Sequence, residues 1–205
     1  MADCDPFPEA ADAAMLAALR RGRVGLRDAL LYVVGIQTGY RIGELLALQR
    51  LHVQDGGVVC AALEVPARYM KRKVKRLPVP LSPSARVMLA EWLDCLAAMG
   101  YPQARAYVFQ SLRGRNRAIN RSQARYVLNR AARRCGIAGK IATHSLRKTF
   151  AERLYNAFLS RRQAGEHIDP IRRLQGWLGH KSIASTEAYL PKLNLPPEDL
   201  QALWT

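Results

Sequence analysis

Acidic residues are scarce in this sequence: 16 Asp and Glu stand against 32 Lys and Arg in a chain of 205 residues. The formal net charge of +16 favours a polyanionic partner, because each phosphate that a basic side chain neutralises releases condensed counterions. Charge of this size predicts binding to a nucleic acid, but it does not indicate what the protein does there.

Cysteine pairs and long apolar runs are also missing. The four cysteines, at 4, 60, 95 and 135, are far apart and form no C-x-x-C pair, which argues against a zinc site and a disulfide scaffold. The N-terminus is acidic, and apolar runs such as 29–36 are too short to span a bilayer. We therefore expect a soluble cytoplasmic protein with reduced thiols, no metal, no cofactor and no membrane contact.

Hydrophobic periodicity predicts a mainly helical single domain with one small antiparallel sheet, an α+β arrangement. The sheet is expected from short β-branched runs at 53–65 and 73–81. Helices are expected over about 8–20, 26–37, 41–48, 82–99, 122–135, 145–159, 169–178 and 183–190, with a last short one after Pro196-Pro197.

Two basic stretches are candidates for DNA contacts. Six of the nine residues from Arg68 to Arg76 are basic, at an expected hairpin turn, and nine arginines fall between Arg105 and Arg134. A charge run is most often a solvated face, but the two stretches together favour phosphate contacts. The predicted DNA-binding residues are Arg68, Arg72, Lys73, Lys75, Arg76, Arg113, Arg115, Arg117, Arg121 and Arg125.

Arg41 is the first residue that indicates chemistry. On a helix beginning near this residue it shares a face with Leu45 and Leu48, so its guanidinium needs a partner, which Glu44 can supply at i+3. A structural Arg–Glu pair is the simpler interpretation of this residue alone. The alternative is an arginine held rigidly to bind a phosphate in a bidentate manner.

A second motif runs from Thr143 to Arg147. We expect Thr143 to cap a helix, with His144 and Arg147 meeting in its first turn and Arg147 projecting along the edge of the apolar stripe. An anion at this position would also lie near free backbone N–H groups. A single H-x-x-R is common by chance and by itself is weak support for a site.

A third cluster places Leu178-Gly179-His180 nine residues before Tyr189. Gly179 is expected to end one helix and Ser182 to cap the next, with His180 in the turn and Tyr189 on the following helix. A lone tyrosine among apolar neighbours is usually core packing, and a lone histidine in a turn is usually structural.

Taken together, these motifs resemble those of the tyrosine recombinase (phage integrase) family. Residues 38–45 look like its first arginine box, His144-Ser145-Leu146-Arg147 looks like its second, and 178–189 supplies the final histidine and the nucleophile. The resemblance runs from about 26 to 195. It implies the catalytic-domain fold of that family and site-specific DNA recombination or integration.

The resemblance also implies residue roles. Arg41 and Arg147 would neutralise the scissile phosphate, His144 would act as base and His180 would hydrogen-bond the phosphate. Tyr189 would attack phosphorus to give a 3′-phosphotyrosine without metal or ATP. The family's general acid is a hairpin lysine, for which Lys71 is the first candidate, Lys73 the second and Lys75 the third.

The sequence departs from most of that family at its N-terminus. Only about 25 residues precede the second helix, so the separate N-terminal core-binding domain is expected to be absent, and the chain is either a catalytic fragment or a naturally short enzyme. The resemblance implies double-stranded DNA as partner, a synaptic tetramer, and a tail at about 190–205 that packs on a neighbouring protomer. It also implies a bacterial cytoplasmic protein, associated with the nucleoid or carried by a phage, plasmid or other mobile element.

Two other functions fit part of the pattern. A type IB topoisomerase shares two arginines, a lysine, a histidine and a tyrosine, but the Leu178-Gly179-His180 box and the short chain favour the recombinase. A non-catalytic DNA-binding protein would have little reason to keep all six predicted catalytic residues. An RNA-binding or ribosomal protein fits less well, since no aromatic stacking platform stands out.

Overall fold

The computed structural model of the chain describes residues 4–69, 78–113 and 115–190. Most of the described regular structure is helical. The α-helices are α1 (Asp12–Arg20), α2 (Gly25–Thr38), α3 (Ile42–Leu46), α4 (Pro83–Ala98), α5 (Arg121–Arg134), α6 (Ser145–Gln163), α7 (Pro170–Leu178) and α8 (Ile183–Glu187). Short 3-10 helices cover Glu9–Ala11, Arg50–His52 and Ala67–Tyr69.

The β-structure consists of two small antiparallel pairs in place of the single predicted sheet. β1 (Gln54–Asp55) pairs with β2 (Val58–Val59), and β3 (Ala62–Leu63) pairs with β4 (Val79–Pro80). Gly56 and Gly57, both with positive φ, form the tight turn that joins β1 to β2, and each of these strands has only two residues. Most of the predicted 73–81 strand lies outside the described residues.

Several helix ends follow the local sequence signals. The Ser82 hydroxyl accepts a hydrogen bond from the Ala85 amide at 3.2 Å and so caps α4, at the start of the helix predicted over 82–99. Gly39 and Gly179 end α2 and α7 in the left-handed conformation, with φ of 59° and 63°. Both glycines stand close beside predicted catalytic residues, so helix termination fixes where those residues emerge.

Helix α2 forms the centre of the fold. Nearly all its side chains are buried, and it packs against α1, α4 and α6. A second, smaller hydrophobic cluster joins α6 and α7 to the turn after α8, through Phe150, Leu174, Leu178 and Tyr189. The candidate site lies where this second cluster meets the end of α2. No helix formed by the described residues is long and apolar enough to cross a membrane.

Candidate active site

Arg147 occupies the centre of the predicted site and is fully buried, with 1% of its surface exposed. Its Nη1 donates to the Gly39 carbonyl, and its Nη2 donates to the Leu178 carbonyl at 2.7 Å. The prediction that Arg147 lies along the edge of the apolar stripe is therefore wrong. Two helix-end carbonyls accept hydrogen bonds from the guanidinium, and these bonds offset part of the cost of its burial.

Gly35 on α2 and Gly39, the residue that ends this helix, allow this burial. A Cβ at Gly35 would lie 2.7 Å from Leu146 Cδ1, and a Cβ at Gly39 would lie 2.2 Å from Phe150 Cδ1. Leu146 and Phe150 are four residues apart on α6, and the two glycines are also four residues apart. Each large side chain of α6 therefore packs against one glycine, where no side chain stands in its way. This close approach brings the Gly39 carbonyl within reach of Arg147.

Arg41 lies two residues after Gly39, in the short connection between α2 and α3, and immediately precedes α3. Its Nη1 donates to Glu44 Oε1 at 3.1 Å and its backbone amide donates to Glu44 Oε2 at 2.8 Å. The predicted pairing with Glu44 is present. Arg41 does not share the buried face of Leu45, however, because α3 starts one residue later and leaves 34% of the Arg41 side chain exposed. The side chain is thus braced by a buried carboxylate and still open to a ligand.

His144 immediately precedes α6, and the structure corrects the predicted cap. Thr143 does not cap the helix; the turn is braced instead by Ser145, whose hydroxyl accepts from the Ala142 amide at 3.0 Å. Burial, together with the positive charges of Arg147 and Arg41, lowers the pKa of His144 to about 4. His144 is therefore neutral near pH 7, and its buried Nε2 has no hydrogen-bond partner among the described residues.

His180 lies in the turn after α7, as predicted. Its Nε2 is 3.2 Å from Arg147 Nη2 and its Nδ1 is 3.1 Å from the Thr186 hydroxyl. Its backbone amide and carbonyl both bond to Gln175, at 3.1 Å and 3.0 Å, so the residue is fixed at main chain and ring alike. The ring therefore lies in contact with the buried arginine.

Tyr189 completes the cluster from the turn that follows α8, not from within the helix as predicted, because α8 ends at Glu187. Its ring centroid lies 5.1 Å from that of His144 and 5.0 Å from that of His180, and Arg147 Cζ is 5.6 Å from it. With 7% of its surface exposed, Tyr189 belongs to the second hydrophobic cluster and also adjoins both histidines and the buried arginine of the predicted site.

The predicted basic residues fall into two groups. Arg68, Arg113, Arg115, Arg117, Arg121 and Arg125 are exposed in the structure. Arg121 lies against α3, where its Nη2 would be 2.8 Å from a Cβ at Gly43, so it stands beside the Arg41 turn. The predicted general acid Lys71, its alternatives Lys73 and Lys75, and the predicted DNA contacts Arg72 and Arg76 lie outside the described residues.

Three contributors to the site were missed at the sequence level: Gly35, Gly39 as a carbonyl acceptor, and Thr186. Glycines at 35 and 39 on an otherwise apolar helix are a readable signal for close helix packing, since each glycine weakens a helix by about 1 kcal/mol. Thr186 carries no such signal, because a threonine in the first turns after a cap residue is ordinary. Across the residues that are described, no three His, Cys, Asp or Glu side chains cluster as metal ligands.

Comparison with known proteins identifies the family. Residues 9–194 match the model of the phage integrase family. The sequence is 30% identical over 172 residues to tyrosine recombinase XerC of Ralstonia pickettii (strain 12J), covering 80% of this chain and 49% of that protein. It is 31% identical over 164 residues to the probable integrase/recombinase YoeC of Bacillus subtilis (strain 168), covering 80% of this chain and 77% of that protein. The chain therefore belongs to the phage integrase (tyrosine recombinase) family, as its motifs predicted.

Solved structures show the same fold. The crystal structure of XerA recombinase superposes with a TM-score of 0.67 at 24% identity, covering 98% of this chain and 64% of that one. XerH site-specific recombinase, bound to palindromic difH substrate in a post-cleavage complex, superposes with a TM-score of 0.72 at 21% identity, over 98% of this chain and 53% of that one. The mainly helical fold with small antiparallel sheets is confirmed. The chain spans about half the length of XerC.

Proposed function

We propose that this chain is the catalytic domain of a site-specific recombinase that cuts and rejoins double-stranded DNA through a covalent 3′-phosphotyrosine at Tyr189. The convergence of Tyr189, His144, His180 and Arg147 carries the proposal, with both histidine rings about 5 Å from the tyrosine ring. These residues come from three separate segments of the chain, and simple core packing does not require two histidines and a buried arginine around one tyrosine.

The arrangement suits phosphoryl transfer to a phenol. A phosphate placed between Arg41 and Arg147 would have its non-bridging oxygens neutralised by two permanent cations, which the transition state needs most. The Tyr189 oxygen would attack phosphorus and the P–O5′ bond would break, leaving a free 5′ hydroxyl and conserving the ester bond energy for rejoining. Reversal by a different 5′ hydroxyl gives strand exchange.

The protonation state of His144 supports its role as base. A neutral imidazole can accept the phenolic proton, whereas an imidazolium cannot. Burial is the largest cause of the low pKa of His144, and the charges of Arg147 and Arg41 lower that pKa further; a bound phosphate would neutralise these two charges. Substrate binding is therefore expected to raise the basicity of His144 at the moment when a base is needed.

We assign the role of general acid to Lys71. The assignment rests on resemblance to the family, because Lys71 lies outside the described residues and no contact of its side chain supports it. A DNA whose scissile 5′ oxygen is replaced by sulfur tests the assignment, because a thiolate leaves without a proton. Lys71→Ala is expected to cleave ordinary DNA slowly and the sulfur-substituted DNA at the wild-type rate. Normal cleavage of ordinary DNA by Lys71→Ala would transfer the role to Lys73 or Lys75, each tested in the same way.

We propose that the protein assembles as a tetramer on two DNA duplexes. We also propose that it acts in a bacterial cytoplasm, because the recombinases that it resembles are bacterial. XerH, a neighbour in fold, is described as bound to its difH substrate. We assign residues about 190–205 to contacts with a neighbouring protomer. A chain that ends after Leu193 should keep cleavage of a single site and lose pairing of two sites in gel-shift assays; equal pairing would contradict this assignment.

The cleavage reaction can be tested on a pool of random DNA sequences, from which the protein selects its own target. Nicked duplexes with a randomised central sequence are incubated with the protein in EDTA, and DNA that becomes covalently attached to protein is recovered and sequenced. We expect enrichment of an inverted repeat from wild type and none from Arg147→Lys, in which the bidentate guanidinium is lost. A parallel selection recovers DNA that is bound without a covalent bond. If that selection enriches a sequence that binds tightly and no adduct forms on it, the result would support the non-catalytic DNA-binding alternative.

A further inference from the structure

Thr186 is a buried member of the site that has no role in the reaction described so far. It lies in α8 with none of its surface exposed, and its hydroxyl oxygen is 3.1 Å from His180 Nδ1. Among the described residues this is the one polar contact of that hydroxyl. The histidine ring and the hydroxyl therefore determine each other's hydrogen bonding.

Two arrangements of the protons are compatible with these distances. If Nδ1 carries the ring proton, it donates to Thr186, and Nε2 can accept from Arg147 Nη2, 3.2 Å away, which only donates. The threonine hydrogen is then buried without an acceptor, which is costly. If Thr186 donates to Nδ1 instead, the proton sits on Nε2, and Nε2–H and Arg147 Nη2–H face one another.

A phosphate oxygen favours the second arrangement. An anionic oxygen between Nε2–H and Nη2–H accepts from both, and the threonine hydrogen is then satisfied by Nδ1. Without the phosphate, the first arrangement avoids opposing two donors. A hydroxyl is suited to this site because it accepts in one state and donates in the other.

We propose that Thr186 is the positioning residue that sets the proton on His180, so that Nε2 donates to the phosphate bound by Arg147. The inference rests on the proposed function and deepens it. On DNA binding, the ring loses its Nδ1 proton to solvent and gains one at Nε2, so that no net proton is taken up. The Thr186 hydroxyl turns from acceptor to donor in the same step.

Thr186→Val and Thr186→Ser separate this role from simple packing. Valine has nearly the same shape but no hydroxyl, whereas serine keeps the hydroxyl. We expect Val to cleave a selected duplex about 10-fold to 100-fold more slowly, as for loss of a buried hydrogen bond, and Ser to remain within about threefold of wild type. In Thr186→Val, protonation of the His180 ring to the imidazolium places a proton on Nε2. The cleavage rate of this variant should therefore rise relative to that of wild type as the pH falls.

Nitrogen-15 NMR of the histidine rings reads the proton position directly, and the chain has only 4 histidines to assign. In the DNA-free protein we expect Nδ1–H on His180 for wild type and Ser, and a mixture of tautomers for Val. In the DNA complex of Tyr189→Phe, which binds without cleaving, the proton should move to Nε2. A Val variant with wild-type tautomers, rate and pH profile would overturn the proposal while leaving recombinase function intact, whereas failure of wild type to form any adduct would overturn the function itself.

Discussion

The low pKa of His144 predicts a measurable loss of stability in mild acid. In the unfolded chain this histidine takes up a proton near its ordinary pKa of 6.5, but in the folded protein only near a pKa of about 4. Its contribution to stability is therefore complete above about pH 6.5 and is lost progressively as the pH falls toward 4. A shift of this size limits the loss to roughly 3 kcal/mol, at about 1.36 kcal/mol for each pH unit.

Between about pH 7 and about pH 5, protonation of His144 would lower the free energy of unfolding by close to 2 kcal/mol. We expect a loss of about 1–2 kcal/mol, because the ring is only partly shielded from solvent. Urea unfolding at the two pH values measures it. His144→Gln removes the titrating group, so between the two pH values its unfolding free energy should fall about 1–2 kcal/mol less than that of wild type. His167→Gln, at an exposed loop position, is the control and should show the same fall as wild type. Identical pH dependence in wild type and His144→Gln would refute the reasoning.

Three further predictions follow from the contacts around the site. Gly39→Ala should lower the unfolding free energy by about 2–4 kcal/mol in urea titrations, because it combines a left-handed φ with a clash against Phe150. Gly56→Ala has the left-handed φ alone and should cost about 1 kcal/mol. Equal losses in the two variants would contradict the packing argument. Glu44→Gln should slow cleavage about 10-fold with little change in DNA affinity, because Arg41 loses its charged brace; an unchanged rate would show that the brace is dispensable. Arg125→Ala should reduce the slope of log affinity against log salt by about 1, as for one lost phosphate contact, and an unchanged slope would remove this residue from the DNA surface.

The sequence predicted the elements of this fold well wherever local signals are strong. Ser82, Gly39 and Gly179 mark helix ends through a cap hydroxyl or a left-handed turn, and the structure places the ends there. The two strand pairs were predicted as one sheet because two-residue strands have no measurable period. Local sequence cannot show how many such pairs a chain of this kind forms.

The motifs predicted which residues would come together in the candidate site, but they did not predict that Arg147 would be buried. Pattern matching brought Arg41, His144, Arg147, His180 and Tyr189 together, and the described structure clusters both histidines and Arg147 around Tyr189. Nothing in the local sequence indicates that Arg147 is fully buried, because that depends on carbonyls supplied by the ends of two other helices. Burial of a charge is a tertiary property, since its cost is offset only by partners distant in sequence.

The central claim is that Tyr189 itself carries the DNA, and peptide mapping of the adduct tests it most directly. After cleavage of a nicked duplex, nuclease and trypsin digestion should leave a nucleotide on the peptide 182–192, whose only tyrosine is Tyr189. We expect a nucleotide linked through its 3′ phosphate to that peptide, and no adduct from Tyr189→Phe. A nucleotide on another residue, such as the neighbouring Tyr155, or an adduct that survives in Tyr189→Phe, would contradict the claim.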